Sequence, residues 1–509
     1  MSHRWKLFIA VAVVMLALTI VWVVTMRVTA DSDVDAYRKS LIASGEKLEI
    51  AEVMPPPVPV EQNGADVLNG AFRLFTSAGD DFTNQPPAML MAARGKAVVC
   101  FAQWDVRGSD FTNSWSNVMD VVAADRPATE LLKQAANFPA IDFHVEYAKW
   151  PETLLTHLAP LKRSAQRLSA EAMCDLHEGD AASAATNICA MLALVRGEQG
   201  ERTLISQLIR IAVAAIATGP TWELLQSTNV NESELAMVQT NWERLEYVTA
   251  MENALLMERA GEEVTIKKMR ESSEYFNRRI SMWPGAAGAS GSGPDFWDSV
   301  KLACAIFMWQ NSWGYSDELR MLQNDQVILQ TIRATQTNTS YYPAFTNMQG
   351  QLGISATNSG WDDLMAKMDD DGLQRMFSEE SESLGSALRR VIVAEVNKRV
   401  VITAIALKRY QIKEGNYPTN LSALVPEFLS SVPLDPVNGK PLCYRLKADG
   451  TFLLYSVADN NTDDGGDASL PPSVTGGSYY WLGPHALDWV WPQPATKAEI
   501  DYYFTHPRR

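Results

Sequence analysis

The chain has 509 residues, 60 Asp and Glu against 44 Lys and Arg, a formal charge of −16 and 47% hydrophobic residues. That length exceeds one ordinary core, so two or three domains are expected, and the composition excludes both a disordered chain and a multi-spanning membrane protein. The acidic balance, with no dense basic stripe to neutralise phosphates, argues against nucleic acid as a partner.

Leu7 to Met26, LFIAVAVVMLALTIVWVVTM, carries no charge. At about 1.5 Å per residue it reaches roughly 30 Å as a helix, the thickness of a bilayer core. Arg4 and Lys6 precede it, and Asp31, Asp33 and Asp35 follow Arg27. This asymmetry predicts a single-pass anchor in the bacterial inner membrane, N-terminus in the cytoplasm and the bulk of the chain outside. The competing reading is a cleaved signal peptide, with small residues at Val28 to Asp31. The apolar run is longer than a signal h-region, which favours the uncleaved anchor.

Past the anchor, DAYRKSLIASGEKLEIAEV predicts a short helix. Pro55, Pro56, Pro57 and Pro59 then make an extended spacer, because proline cannot continue a helix. From about residue 64 the pattern reads as helical. Leu161, Ala165, Leu168, Ala172 and Leu176 trace one apolar face, and HEGD at His177 to Asp180 ends that helix. A second helix buries Ala184, Ile188, Leu192 and Val195. A third runs from Leu204 to Ala217 and is expected to stop at Gly219-Pro220. Asn231 and Glu234 have capping-box spacing ahead of a fourth. The stretch from Ala170 to Leu194 resembles one tetratricopeptide helix pair, without a repeating period. Pro284 to Pro294 reads as a flexible loop, the polar stretch Asn338 to Glu382 as a boundary region, and Ser386 to Lys413 as a long helix.

Asn397 to Asp467 resembles the soluble headpiece of the major pseudopilin of bacterial type II secretion systems. The matching elements come in order: a helix ending in Gly415-Asn416-Tyr417-Pro418, the segment Leu421 to Pro426, the Asp435-Pro436 turn with Gly439, then YRLKADGTFLLYSVADN. Leu442 to Leu446 and Thr451 to Val457 flank Asp449-Gly450, which independently predicts a hairpin. The resemblance implies a long helix with a small antiparallel sheet, and a calcium ion in the loop after the hairpin. Asp459 stands where the family has its first loop carboxylate, and Asp488 is a match for the later one. Asp459, Asn461, Asp463, Asp464 and Asp467 place oxygen donors within nine residues, as calcium requires. A solvated acidic loop is the alternative. In a pseudopilin the membrane helix directly precedes the headpiece; here more than 300 residues intervene, so the resemblance speaks for fold and ion binding.

The expected organisation is a tip and anchor at 1–30, a juxtamembrane helix and spacer at 31–63, a helical domain at 64–385 and a pseudopilin-headpiece-like α+β domain at 386–509. The fold class is mainly α with a C-terminal α+β domain. Five scattered cysteines form no C-x-x-C, and six dispersed histidines form no H-E-x-x-H. No catalytic constellation is legible: Glu171, Asp175, Glu178 and Asp180 around His177 read as a solvated helix end, and Trp481, Trp489 and Trp491 as core aromatics rather than a sugar platform. The function expected is thus a membrane-anchored exported protein that contacts envelope proteins and is more binder than enzyme. A component related to type II secretion, or an exported carboxylate-dependent hydrolase, are the alternatives.

Overall fold

Nothing between His3 and Ala43 can stop a helix, since that stretch has neither glycine nor proline. Accordingly α1 (His3–Ala43) is one unbroken helix, ending only at Ser44 and Gly45, where φ is +89°. The computed structural model describes residues 3–75, 85–108, 110–281, 303–337, 340–353, 376–471, 481–483 and 485–506. The separate juxtamembrane helix expected from Asp35 is therefore the upper part of α1, and a second, short helix α2 (Ile50–Val53) follows. The lower part of α1 exposes Val11, Val14, Leu18, Val21 and Trp22, whereas Val34 and Leu41 are buried against the body.

Charged side chains fasten that upper part. Arg38 donates to Glu263 Oε1 at 3.1 Å and also pairs with Glu318, which Arg270 approaches from another side. Just beyond α1, Glu46 accepts from Arg259 Nη2 at 3.0 Å, Gln326 Nε2 at 3.0 Å and Arg333 Nη2 at 3.2 Å. Burial, the largest single influence on Glu46, would raise its pKa; the hydrogen bonds from Arg333, Gln326 and Arg259 overcome it and hold the carboxyl at about 2.

The body is helical: α3 (Ala65–Leu74), α4 (Trp115–Ala135), α5 (Leu158–Glu178), α6 (Ala181–Gly197), α7 (Leu204–Gln226), α8 (Glu232–Glu243), α9 (Val248–Glu271) and α10 (Ser273–Ser281). The apolar stripes of α5 and α6 face each other, with all nine periodic positions buried. Gly179, at φ +84°, ends α5, and Asp180 accepts from Ser183 N at 3.0 Å to start α6. The capping box at Asn231 and Glu234 is present on α8.

Helix α7 departs from expectation: it does not stop at Gly219-Pro220 but continues to Gln226. Proline there forfeits one backbone bond and disfavours the helix locally. Tertiary contacts override that cost. Trp222 Nε1 donates to Pro492 O at 2.9 Å, and Glu223 accepts from Met89 N at 2.8 Å and Cys100 N at 3.1 Å. Gly219 is needed because a Cβ would lie 2.8 Å from Ala88 Cβ and 3.2 Å from its carbonyl oxygen.

The segment after residue 84, expected to be helical, is instead partly extended. β1 (Leu90–Ala93) and β2 (Lys96–Val98) form an antiparallel hairpin, and β3 (Val106–Arg107) pairs with β4 (Thr112–Asn113). β2 is also joined in parallel by β8 (Gln493–Pro494) from the far end of the chain, Lys96 opposite Gln493. Strands of two to four residues, one of them paired across almost 400 residues, leave no local periodicity to read.

A π-turn at Trp309–Trp313 leads into α11 (Gly314–Thr337), followed by α12 (Tyr342–Leu352) and the long α13 (Met376–Glu414). Asp317 on α11 caps α13, accepting from Phe377 N at 2.9 Å and Ser378 N at 3.0 Å. The expected loop at Pro284 to Pro294 and most of the expected boundary region lie outside the described residues. The small C-terminal antiparallel sheet is β5 (Cys443–Leu446), β6 (Phe452–Ser456) and β7 (Trp489–Val490), in the register Cys443 to Tyr455 and Tyr455 to Val490. α14 (Lys497–Thr505) ends the described elements. One apolar core runs from Val53 through α5–α9 and α13 to Trp491, so position 386 falls inside a helix that both regions share.

Two substitutions test this packing. Glu46→Ala leaves Arg259 buried without its carboxylate, and breaking a buried pair from one side costs about 3–5 kcal/mol; urea unfolding at neutral pH should show a loss of that order, and a change under about 0.5 kcal/mol would mean the network is dispensable. Gly219→Val should lose about 1–3 kcal/mol by the same measurement through overpacking against Ala88.

Candidate functional site

The Asp449-Gly450 turn, with Lys447 N donating to Thr451 O at 2.7 Å and Gly450 at φ +81°, closes the β5–β6 hairpin. Asp435 secures its far end. This buried carboxylate accepts from Val437 N at 2.9 Å, Ser456 Oγ at 3.0 Å and Val457 N at 3.0 Å, tying the Asp435-Pro436 turn to the residue where the acidic loop begins. Burial raises its pKa against those three hydrogen bonds. Its anchoring role was not legible in the sequence beyond the turn itself.

The loop carboxylates are placed separately. Asp459 pairs with Arg389 of α13, whose Nε donates at 3.1 Å. Asp463 accepts from Tyr455 Oη at 2.8 Å and Gly465 N at 3.0 Å, and these bonds, the tyrosine's first, lower its pKa. Asp464 accepts from Asn460 Nδ2 at 2.7 Å, and Asp467 from Ser469 N at 2.8 Å. Asp488, just ahead of β7, is fully buried against the loop; it accepts from Gly466 N at 2.8 Å, and its own N–H donates to Asp467 O at 2.9 Å. Its other oxygen, Oδ1, is buried without a hydrogen-bond partner, as is Asn461 Oδ1. Burial pushes the Asp488 carboxyl up to about 6, and the nearby Asp464 charge adds to the rise.

Orphaned buried oxygens are costly, so these two mark where a cation would be welcome. Among the described residues no three His, Cys, Asp or Glu side chains converge at metal-binding distance. Of the residues expected to hold calcium, Asp488 and Asn461 each keep a buried unpaired oxygen that could accept it, whereas Asp459, Asp463, Asp464 and Asp467 are engaged by Arg389, Tyr455, Asn460 and Ser469. Trp481, Trp489 and Trp491 do not face solvent: all are buried, Trp489 Nε1 donates to Gly483 O at 3.0 Å, and Trp481 meets Trp491 edge-on at 5.6 Å.

Two other polar groupings escaped the sequence reading. His157 Nε2 lies 2.9 Å from Glu201 Oε2, and Ser206 Oγ donates to Glu201 Oε1 at 2.7 Å. All three are buried, and serine and histidine each bond the carboxylate rather than each other, so the arrangement braces α5 to α7 instead of activating a nucleophile. A cleft of about 250 Å³ opens between α9, α11 and α13, lined by Glu246, Glu395, Arg399 and Tyr341 among apolar residues. Its charges already serve the fold: Glu246 caps α9 through Thr249 N, Glu395 accepts from Lys398 at 2.9 Å, and Arg399 donates to Leu434 O at 2.9 Å. The acidic group around His177 is only partly a solvated end. Glu178 and Asp180 are exposed, but Glu171 is buried against Lys133 at 2.9 Å, and burial lifts Asp175 to about 7.

Compared with protein-family models, with curated proteins and with solved structures, the chain has no match.

The raised Asp488 carboxyl makes a signed prediction. With a chelator present, the folded state holds its proton more tightly than the unfolded chain, so stability falls as pH rises from about 4 to about 6. Asp488→Asn should remove that part of the slope and make the metal-free protein more stable than wild type at pH 7; equal or lower stability there would show that the carboxylate is adequately solvated. Asp435→Ala should cost about 2–4 kcal/mol by denaturant titration, because it leaves buried N–H groups unpaired.

Proposed function

We propose that this is a single-pass protein of the bacterial inner membrane, N-terminus cytoplasmic and body outside, that makes protein contacts at the cell envelope and holds calcium in a pseudopilin-like C-terminal region. The observation that carries this reading is α1. From Leu7 to Met26 it is uncharged, and it exposes Val11, Val14, Leu18, Val21 and Trp22, which water penalises and lipid accepts; its upper part is locked to the body by Arg38 and, just beyond, Glu46. Among the described residues α7 is the one helix long and apolar enough by length and composition to cross a membrane, and it is mostly buried in the core, so the reading rests on the uncharged run of α1 and its exposed side chains.

The pseudopilin-like reading is supported by the order of pieces along the chain: the helix ending at Gly415, the Asp435 turn, the β5–β6 hairpin, the acidic loop and the returning strand β7. Calcium is supported by the orphaned Asp488 and Asn461 oxygens.

Topology is tested by adding protease to spheroplasts: the chain beyond about Arg27 should be digested while an N-terminal tag survives, and a mature protein beginning at Asp31 would establish cleavage instead. Calcium is tested on the full chain in detergent, because α13 shares its core with the helical body. At free calcium a hundredfold above its dissociation constant the gain is about 2.7 kcal/mol, visible as a raised melting temperature, with magnesium doing much less. Identical melting curves in calcium and in chelator would remove the ion site.

A further inference from the structure

Beside the upper part of α1, α11 and the π-turn before it run in the same direction. Arg27 Nη1 meets Asn311 Oδ1 at 3.4 Å and its guanidinium lies 5.9 Å from the Tyr315 ring; Arg38 then meets Glu318, and Glu46 meets Gln326. Climbing one helix climbs the other. Residues preceding Asn311 therefore descend alongside Met26 and Val23, and Val23 is already buried where α1 meets the body. Arg27 is the first charge after the uncharged run, so Asn311 marks the level of the outer bilayer boundary.

The helical turns 303–308 just below that level are amphipathic in an unusual sense. Ile306 and Trp309 point into the body, where they pack with Phe276 and Phe377. The opposite face presents Ala303, Cys304 and Phe307, all exposed, with Phe307 at 57%. Phe307 and Cys304 lie roughly 6 and 10 Å along the helix below Asn311, matching the 5–10 Å to which interfacial helices sink.

We propose that this face, Ala303-Cys304-Phe307, is a second membrane contact that sinks into the outer-leaflet interface of the same bilayer that α1 spans. It rests on the reading of α1 as an anchor. Two contacts on one rigid body fix its orientation as well as its attachment, because a single helix leaves the body free to rotate and tilt on the membrane. The body thereby presents a constant face to envelope partners.

The test uses the full chain in lipid nanodiscs, with Cys189 and Cys443 replaced by serine so that a nitroxide reagent takes Cys304, the exposed thiol. Collision rates with oxygen, which concentrates in lipid, are compared with those of a water-soluble nickel chelate. A nitroxide at Val14→Cys reports the anchor independently. Oxygen-dominated collisions at both positions, with Cys304 the shallower, support the proposal. Oxygen dominance at position 14 with nickel dominance at Cys304 overturns the second contact and leaves the anchor standing. Nickel dominance at both overturns the anchor and the second contact with it. A label at Phe307→Cys, with Cys304→Ser, repeats the measurement one turn away and should agree; nickel dominance there alone would also overturn the contact.

Discussion

The Glu46 carboxylate is the constraint on which the rest of the architecture depends. It sits immediately after the helix turn that ends α1, and it draws together Arg259 from α9 and Gln326 and Arg333 from α11. A buried arginine such as Arg259 is tolerable only with such a partner. The consequence reaches both ways: α9 and α11 are held side by side, and α1 leaves the body in one direction. Arg38, between Glu263 and Glu318, repeats the fastening two turns lower.

The same logic of paired burial governs the C-terminal region. Asp435 gathers three donors to hold the hairpin against its preceding turn, and Asp317 caps α13 from α11. Because α13 lends one face to the small sheet and the rest to α7, α8, α9 and α11, the C-terminal sheet is built into the helical body. An ion bound at Asp488 would act on a loop that β7 and Trp491 connect to that common core, and β8 then carries the chain on to β2. Calcium at this loop would therefore stabilise more than a peripheral hairpin.

What could be read in advance was local. The stripes of α5 and α6, the Gly179-Asp180 turn, the Asn231 capping box and the Asp449-Gly450 hairpin all state their structure within a dozen residues. The failures were long-range. Pro220 signals a helix end, and only Trp222 reaching Pro492 and Glu223 reaching Met89 and Cys100 show why α7 continues. Strands β1 to β4 are too short to show a period. The individual partners of the loop carboxylates are Arg389 and Tyr455, which lie on α13 and β6 outside the loop and so leave no signal in its own spacing. Asp488 was legible as a candidate through resemblance, but its orphaned oxygen emerges only when Asp467 and Gly466 are packed against it.

Rigid attachment of α1 to the body through Glu46 is directly measurable. Nitroxides at Ser32→Cys on α1 and Met237→Cys on α8, in full-length protein with its other reactive thiols replaced and reconstituted in nanodiscs, give the distance distribution between them by pulsed electron resonance. A single narrow distribution that broadens on Glu46→Ala is the predicted result. A broad distribution in the wild-type chain, unchanged by Glu46→Ala, would contradict it, because the helix would then be hinged to the body.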